Sequence, residues 1–180
     1  MKEKFLHVPL ALALIVFGFG MRLLPHVPNV APVGAIALFA GMYLPRRLAF
    51  ALPLCAMLIS DMVIGFYELP IMLCVYAGFF LMTGIGLFLK TRKSLPFLIV
   101  GTLAGSLVFY VVTNAAVWAF SSMYPHTLGG LMASYIAAIP FFRNSVIGDL
   151  FYTGLLVGSF ELLAFALKHS QPQFLQKRSE

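Results

Sequence analysis

Charged residues are scarce in this chain of 180 residues: 10% are charged and only six are acidic. Soluble domains carry about 25% charged residues, so the composition excludes a cytosolic enzyme and a disordered chain. Two cysteines are too few for a secreted disulfide scaffold. Apolar residues make up 61% of the chain, more than a globular core can hide from water. The sequence therefore predicts an integral membrane protein in contact with the lipid bilayer.

Motifs that mark common enzyme and nucleic-acid-binding classes are also lacking. The chain contains no HExxH site, no GxSxG nucleophile elbow and no phosphate-binding P-loop. The net charge is +6, but the basic residues lie in short breaks between apolar runs, so no nucleic acid is expected as a partner. No intrinsic cofactor is expected either. The polar tail at 168–180 is too small to bind a nucleotide, so uphill transport would need a gradient, a separate partner or capture of the solute.

The apolar runs predict an all-α bundle of six transmembrane helices that forms a single domain over 1–180. The second run, of 14 residues, rises only about 21 Å against a hydrocarbon core of about 30 Å. A re-entrant second segment is the alternative, and it would reverse the direction of every later span. The predicted spans are about 5–24, 31–44, 48–66, 71–89, 95–120 and 145–167, with a short surface helix at about 130–140.

The basic residues favour six crossings with both termini in the cytoplasm. This topology places ten basic residues inside and only Arg22 and Arg143 outside, in agreement with the positive-inside rule. The ten inside residues are Lys2, Lys4, Arg46, Arg47, Lys90, Arg92, Lys93, Lys168, Lys177 and Arg178.

The first run is longer than the apolar core of a signal peptide and lacks a cleavage site, so we predict an uncleaved helix. Cys55 and Cys74 fall at different depths and are not expected to form a disulfide.

Polar side chains gather near the outer ends of the predicted helices. Ionisable residues within a span are costly and are functional-site candidates by default, and we interpret this group as the lining of a pocket that opens outward. Glu161 is the exception near the inner end of the last span; it could snorkel toward Lys168 or serve coupling or a partner. The outer residues are Arg22, His26, Asn29, Asp61, Tyr67, Glu68, Cys74, Asn114, Trp118, Tyr124, His126, Arg143, Asn144 and Asp149.

Each of these outer residues also has a purely structural interpretation. Arg22 can snorkel to the headgroups, and Asp61 and Asp149 can form ion pairs with Arg22 and Arg143. The aromatic residues fit the belt found at membrane interfaces. Asn114 can make an interhelical hydrogen bond, and the cysteine can be a small buried hydrophobe. Their clustering at one depth favours the pocket.

Four motifs lie along the predicted helices and their ends: Pro28-Asn29-Val-Ala-Pro32-Val-Gly34-Ala35-Ile-Ala37-Leu-Phe39-Ala-Gly41, Ser60-Asp61-x-x-x-Gly65, Thr113-Asn114-x-x-x-Trp118 and Gly148-Asp149-Leu150. They resemble the motifs of a family of small six-helix bacterial membrane proteins related to the S-components of energy-coupling-factor vitamin transporters. The resemblance covers about residues 20–155 and implies an S-component-like fold in the bacterial cytoplasmic membrane and uptake of a vitamin.

Within that group the chain is most similar to the solitary cobalamin transporters, because Cys74 follows Asp61 by thirteen residues. This resemblance implies that Cys74 is an axial ligand to the cobalt of bound cobalamin or a related corrinoid, since a soft thiolate suits that metal. Cys74 would also carry a possible decyanation of cyanocobalamin. His26, Asp61 and Arg143 would line the pocket, under the first outer loop as a lid. The other predicted substrate-binding residues are Arg22, Asn114, Trp118, Tyr124 and Asp149.

Partners and alternative functions follow from the same comparison. S-components that dock on a shared energising module typically carry an AxxxA pair on their first helix, and the first run here has none. The resemblance therefore implies a solitary transporter rather than a partner of an ABC-type module. Two other functions stay open at this point: a carrier of another vitamin or precursor, and a structural subunit of a larger membrane complex.

Overall fold

A computed structural model describes residues 2–25 and 27–169, and within these ranges the chain is all-helical. The prediction of an all-α fold is confirmed, and the bounds of the first five helices lie within three residues of the predicted runs. The helices are α1 (Lys2–Leu23), α2 (Val33–Tyr43), α3 (Arg46–Ile64), α4 (Leu69–Leu89), α5 (Leu95–Phe120) and α6 (Leu128–His169).

Prolines and a threonine set where these helices begin. Pro32 and Pro45 occupy the position just before α2 and α3, and a proline lies in the first turn of both α4 and α5. Proline suits these positions because the first turn of a helix has no partner for its backbone N–H groups. Thr127 caps α6, since its hydroxyl oxygen accepts the Gly130 backbone N–H at 3.1 Å.

Helix α2 lies at the centre of the bundle. It contacts each of the other five helices, and every residue from Val33 to Met42 is buried. Glycines bring α2 and α4 into backbone contact: a Cβ on Gly41 would lie 2.3 Å from the Thr83 carbonyl oxygen, and one on Gly86 would lie 2.2 Å from that of Leu38. The short second run is therefore covered by protein.

The other helices present their apolar side chains outward. Large exposed hydrophobic residues occur along α1, α3, α4, α5 and α6, among them Val16, Leu95 and Leu162. Such an extensive apolar surface is stable only in contact with lipid. Four helices, α3 to α6, are long and apolar enough to span a membrane, which makes this chain a membrane protein. Six crossings, and the side on which the termini lie, stay predictions.

Helix α6 differs from the sequence prediction. The segments expected as a surface helix at about 130–140 and a span at 145–167 form one helix of 42 residues, with Pro140 inside it. The Tyr110 hydroxyl of α5 donates to the Tyr135 carbonyl oxygen at 2.6 Å, and the Ser134 hydroxyl donates to that of Asn114 at 2.9 Å. These bonds hold the first half of α6 along α5, which offsets the backbone hydrogen bond that Pro140 removes and the clash of its ring with the preceding turn.

The helices alternate in direction, so the start of α1 and the end of α6 share one end of the bundle. The ion pair of Arg22 with Asp61 joins the last turns of α1 and α3, and α2 begins beside Asp149 and ends beside Glu161. We call the end that holds Arg22, Asp61 and Asp149 the cavity end. The opposite end, which holds Tyr43, Lys93 and Glu161, is called the Glu161 end.

Candidate functional site

A cavity of about 490 Å³ lies at the cavity end, where the start of α2 meets the other helices. This volume falls within the range of about 300–1,000 Å³ that is typical of small-molecule sites. Most of the wall is apolar, contributed by residues that include Val33, Met57, Val75, Phe79, Met82 and Phe109. The polar part of the wall consists of Arg22, Asn29, Tyr67, Thr113, Ser145 and Asp149.

One side of the cavity holds a buried ion pair. Arg22 Nη2 lies 2.8 Å from Asp61 Oδ1, and Asp61 is 1% exposed. The same guanidinium donates to the Ser60 hydroxyl oxygen and, at 3.3 Å, to the Met57 carbonyl oxygen. Asp61 Oδ2 accepts the Tyr76 hydroxyl at 2.7 Å. Each carboxylate oxygen of Asp61 therefore has a donor, and the positive charge of Arg22 is compensated.

The opposite side holds a carboxylate with different surroundings. Asp149 is 7% exposed, and its Oδ2 accepts the Ser106 hydroxyl at 2.7 Å. Within the described ranges no Lys or Arg pairs with it. Gly34 leaves the space for its second oxygen, because a Cβ there would lie 2.4 Å from Asp149 Oδ1. Gly34 of the first sequence motif thus leaves space for Asp149 of the last one.

The connection from α1 to α2 covers part of the cavity. Asn29 lines it and has a φ of 64°, a left-handed conformation that asparagine tolerates better than most residues. The Asn144 side-chain amide donates to the Pro28 carbonyl oxygen at 3.1 Å, which attaches the connection to α6. This segment is the one expected to act as a lid.

The connection between α3 and α4 contributes Tyr67 to the wall. Burial and the nearby carboxylate of Asp61 raise the pKa of Tyr67 to about 12, with Arg22 acting in the opposite direction. The phenol therefore stays neutral at physiological pH. It offers the cavity a hydroxyl group that can donate or accept a hydrogen bond.

The structure brings some of the predicted site residues together. Arg22 and Asp149 line the cavity, and Asp61 lies directly behind Arg22. His26 lies outside the described residues. Cys74 is a free, half-buried thiol on α4, next in sequence to Val75 of the cavity wall, and it is not itself part of that wall.

The remaining predicted residues lie away from the main cavity. Arg143 is exposed, and the alternative interpretation of an ion pair between Asp149 and Arg143 finds no such pair within the described ranges. The Asn114 amide donates to the Tyr110 carbonyl oxygen of its own helix at 2.8 Å and faces a smaller cavity of about 110 Å³. Trp118 Nε1 donates to the carbonyl oxygens of Pro125 and Thr127, at 3.1 and 3.2 Å, and so closes the connection from α5 to α6. Tyr124, half-buried in that connection, is not on the main cavity wall.

Sequence reasoning missed Ser106 and Tyr76, the hydroxyl partners of the two buried aspartates. A signal for Ser106 exists, because Thr102 and Ser106 lie four residues apart in the otherwise apolar first half of α5 and so share one face. The rings of Phe79 and Phe109 were also missed, since aromatic residues in apolar runs are usually lipid-facing or core. Their centroids lie 4.7 Å apart on the cavity wall.

Fold and cavity together define a helical membrane protein with an apolar-walled pocket, beside which lie the Arg22–Asp61 ion pair and a separate buried carboxylate, Asp149. Within the described residues no group of three or more His, Cys, Asp or Glu side chains is arranged to hold a metal ion. The sequence model of the protein family DUF6580, a family of unknown function, matches residues 2–173. The chain therefore belongs to this family. Comparison with curated proteins and with solved structures finds no match.

Proposed function

We propose that this protein is an S-component-like carrier that binds a compact vitamin or vitamin precursor in the cavity and moves it across the bacterial cytoplasmic membrane. The observation that carries the proposal is the cavity itself. Its wall is mostly apolar, with a few polar groups that converge on one space, which is the usual construction of a small-molecule site. A structural subunit would instead have this space filled by a partner chain.

The distribution of basic residues supports binding from outside the cell. Lys90, Arg92 and Lys93 lie in the connection between α4 and α5, and Arg46 and Arg47 begin α3. These residues belong to the Glu161 end, since that is where α3 begins and α4 ends. The positive-inside rule then directs the cavity end outward, where a substrate would enter.

Size favours a compact substrate over a complete corrinoid. The cavity volume of about 490 Å³ suits a ligand of one or two rings, whereas cobalamin with its nucleotide tail is far larger. The alternative from the sequence, a carrier of another vitamin or precursor, therefore fits the geometry better.

Cobalamin stays a second candidate because of Cys74. Its thiol is free and half-buried, one residue before Val75 of the cavity wall. If the cavity widens to admit a corrin ring, the Cys74 thiol could replace cyanide on cobalt. The S–H and Co–CN bonds would break as a Co–S bond forms, and cyanide would take up the thiol proton and leave as hydrogen cyanide. The lack of an AxxxA pair on α1 supports a solitary carrier in either case.

A binding screen separates these functions. The purified full-length protein in detergent is titrated with vitamins and precursors, including cyanocobalamin, by calorimetry. Saturable binding of a compact member supports the main proposal, and absence of any binding contradicts it. For cyanocobalamin the visible spectrum is recorded with wild type, Cys74→Ala and the matched control Cys55→Ala. A spectral shift lost only in Cys74→Ala would favour the cobalamin function.

A further inference from the structure

We infer that the substrate carries a cationic nitrogen on an aromatic or apolar frame, and that this nitrogen is bound by Asp149; the inference rests on the proposed function and specifies its substrate class. The two buried carboxylates at the cavity end differ in their partners. Asp61 is compensated by Arg22 and Tyr76. Asp149, equally enclosed, has one hydroxyl partner.

A carboxylate buried without a positive partner is costly, and it is stable only if it is protonated or meets a cation. Arg22 cannot serve Asp149, because its guanidinium is committed to Asp61, Ser60 and Met57. Among the described residues, the exposed Arg143 does not line this space either. The cavity beside Asp149 has space for a ligand, and a ligand is then the source of the positive charge.

The charges around the cavity favour a cation over an anion. The ionisable side chains on its described wall are Arg22, Tyr67 and Asp149. The charge of Arg22 is cancelled by Asp61 behind it, and the phenol of Tyr67 is neutral at physiological pH. When Asp149 is ionised, its charge is the uncompensated one on the described wall, and it attracts a cationic substrate and repels an anionic one.

The aromatic residues of the wall add a second element of cation recognition. Phe79 and Phe109 both line the cavity, with their rings tilted by 38° to each other. Ring faces attract cations and also pack against flat apolar frames. A carboxylate beside aromatic faces is thus suited to a cationic nitrogen attached to a ring.

Packing around Asp149 holds its carboxylate ready for such a ligand. Ser106 binds Oδ2, and Gly34 places only a hydrogen atom against Oδ1, so that a methyl group there would collide with it. Both Gly34 and Asp149 line the cavity. The second carboxylate oxygen is therefore positioned without a charged protein partner at the cavity wall.

The experiment compares compounds of different charge and two matched variants. Full-length protein in detergent is titrated by calorimetry with thiamine and pyridoxamine as cations, pyridoxine and riboflavin as neutral compounds, and biotin and pantothenate as anions. The variants are Asp149→Asn, which keeps the size and removes the charge, and Glu161→Gln, the same change at the opposite end of the bundle. We expect a cationic compound to bind wild type and Glu161→Gln alike, and to bind Asp149→Asn about 10- to 100-fold more weakly, as for loss of a charged hydrogen bond.

Pyridoxamine and pyridoxine provide a test that needs no variant, because they differ by an amine in place of a hydroxyl. If Asp149→Asn does not fold, tighter binding of pyridoxamine or thiamine than of every neutral and anionic compound still supports the inference. Tighter binding of a neutral or anionic compound, or cation binding unchanged by Asp149→Asn, overturns it and leaves the proposed function standing. If no compound of any charge binds, including cyanocobalamin, the proposed function fails and the inference with it.

Discussion

The two ends of the bundle both hold acidic side chains, but they use them differently. At the cavity end Asp61 and Asp149 are enclosed by helices. At the Glu161 end the carboxylate is half-exposed: Glu161 Oε1 accepts the Tyr43 hydroxyl at 2.5 Å and lies 3.6 Å from Lys93 Nζ. Lys93 also lies 4.1 Å above the ring of Tyr43. Similar contacts therefore differ in energy, because water screens one set and is excluded from the other.

Packing differs between the ends as well. At the Glu161 end the rings of Phe39, Tyr43 and Phe160 fill the space between α2 and α6, with centroids 4.5 to 5.5 Å apart. At the cavity end the first residues of α2 are small or β-branched, and a cavity remains. The comparison teaches that α2 seals the bundle at the end where it carries Phe39 and Tyr43, and that a cavity remains at the end where its first residues are small or β-branched.

The largest effect is expected where α2 crosses α4, midway between the ends. In Gly86→Ala the added methyl group would lie 2.2 Å from the Leu38 carbonyl oxygen, and backbone cannot yield as a side chain can. We expect the free energy of unfolding to fall by more than about 3 kcal/mol, or the fold to be lost. Gly84→Ala, on the same helix with nothing within 4 Å, is the control. Thermal unfolding in detergent measures both, and equal melting temperatures would contradict the close packing.

The next effect tests the contrast in burial directly. Asp61→Asn leaves Arg22, whose side chain is 18% exposed, without its counter-charge and should lower the free energy of unfolding by about 3 kcal/mol. Chemical unfolding in detergent, monitored by Trp118 fluorescence, gives the value. If Glu161→Gln, at the exposed end, lowered the free energy of unfolding by the same amount, the two ends would not differ in the way described.

A third change separates binding from stability at the cavity end. Gly34→Ala places a methyl group 2.4 Å from Asp149 Oδ1 and 2.9 Å from the flexible end of Met82. The carboxylate must move, so a cationic ligand should bind at least about tenfold more weakly. Gly20→Ala, where nothing lies within 4 Å, should leave the affinity unchanged in calorimetric titration. Unaltered binding in Gly34→Ala would show that the carboxylate position does not matter.

The smallest effect belongs to the Glu161 end. Tyr43→Phe removes the hydroxyl that donates to Glu161 and keeps the aromatic packing. Because the acceptor is half-exposed and can turn to water, the unfolding free energy should change by less than about 1 kcal/mol. A chemical unfolding curve that moves as far as that of Asp61→Asn would show that this end is as tightly coupled as the other.

Local signals in the sequence predicted the helices well, because apolar runs here end at prolines and charges. The separation expected between a surface helix at about 130–140 and a span at 145–167 was wrong, since bonds from Tyr110 and Ser134 hold the first of these segments along α5. The central position of α2 could not be read from apolarity, which every run shares. It depends on glycines such as Gly41 that permit close backbone approach.

The site could be predicted only in part. The predicted depths correctly grouped Arg22, Asp61 and Asp149, although Asp149 lies in the middle of the 42-residue α6 and not near the start of a separate span. The ion pairs could not be predicted from depth. Arg22 and Arg143 were both predicted at the depth of the aspartates, but of these two only Arg22 forms an ion pair with an aspartate. Whether Cys74 faces the cavity depends on helix rotation, which an apolar helix with so weak an amphipathic pattern does not determine.

The burial of α2 from Val33 to Met42 has a consequence for how the protein enters the membrane. An 11-residue helix rises about 16 Å, roughly half the thickness of the hydrocarbon core. A segment this short is not apolar over enough residues for the translocon to insert it by itself. Its residues from Val33 to Met42 are covered by other helices, so they have no contact with lipid. We therefore expect α2 to be integrated together with α1 and α3 rather than on emergence from the ribosome. Biogenesis of the bundle would then depend on tertiary contacts before synthesis of the chain is finished.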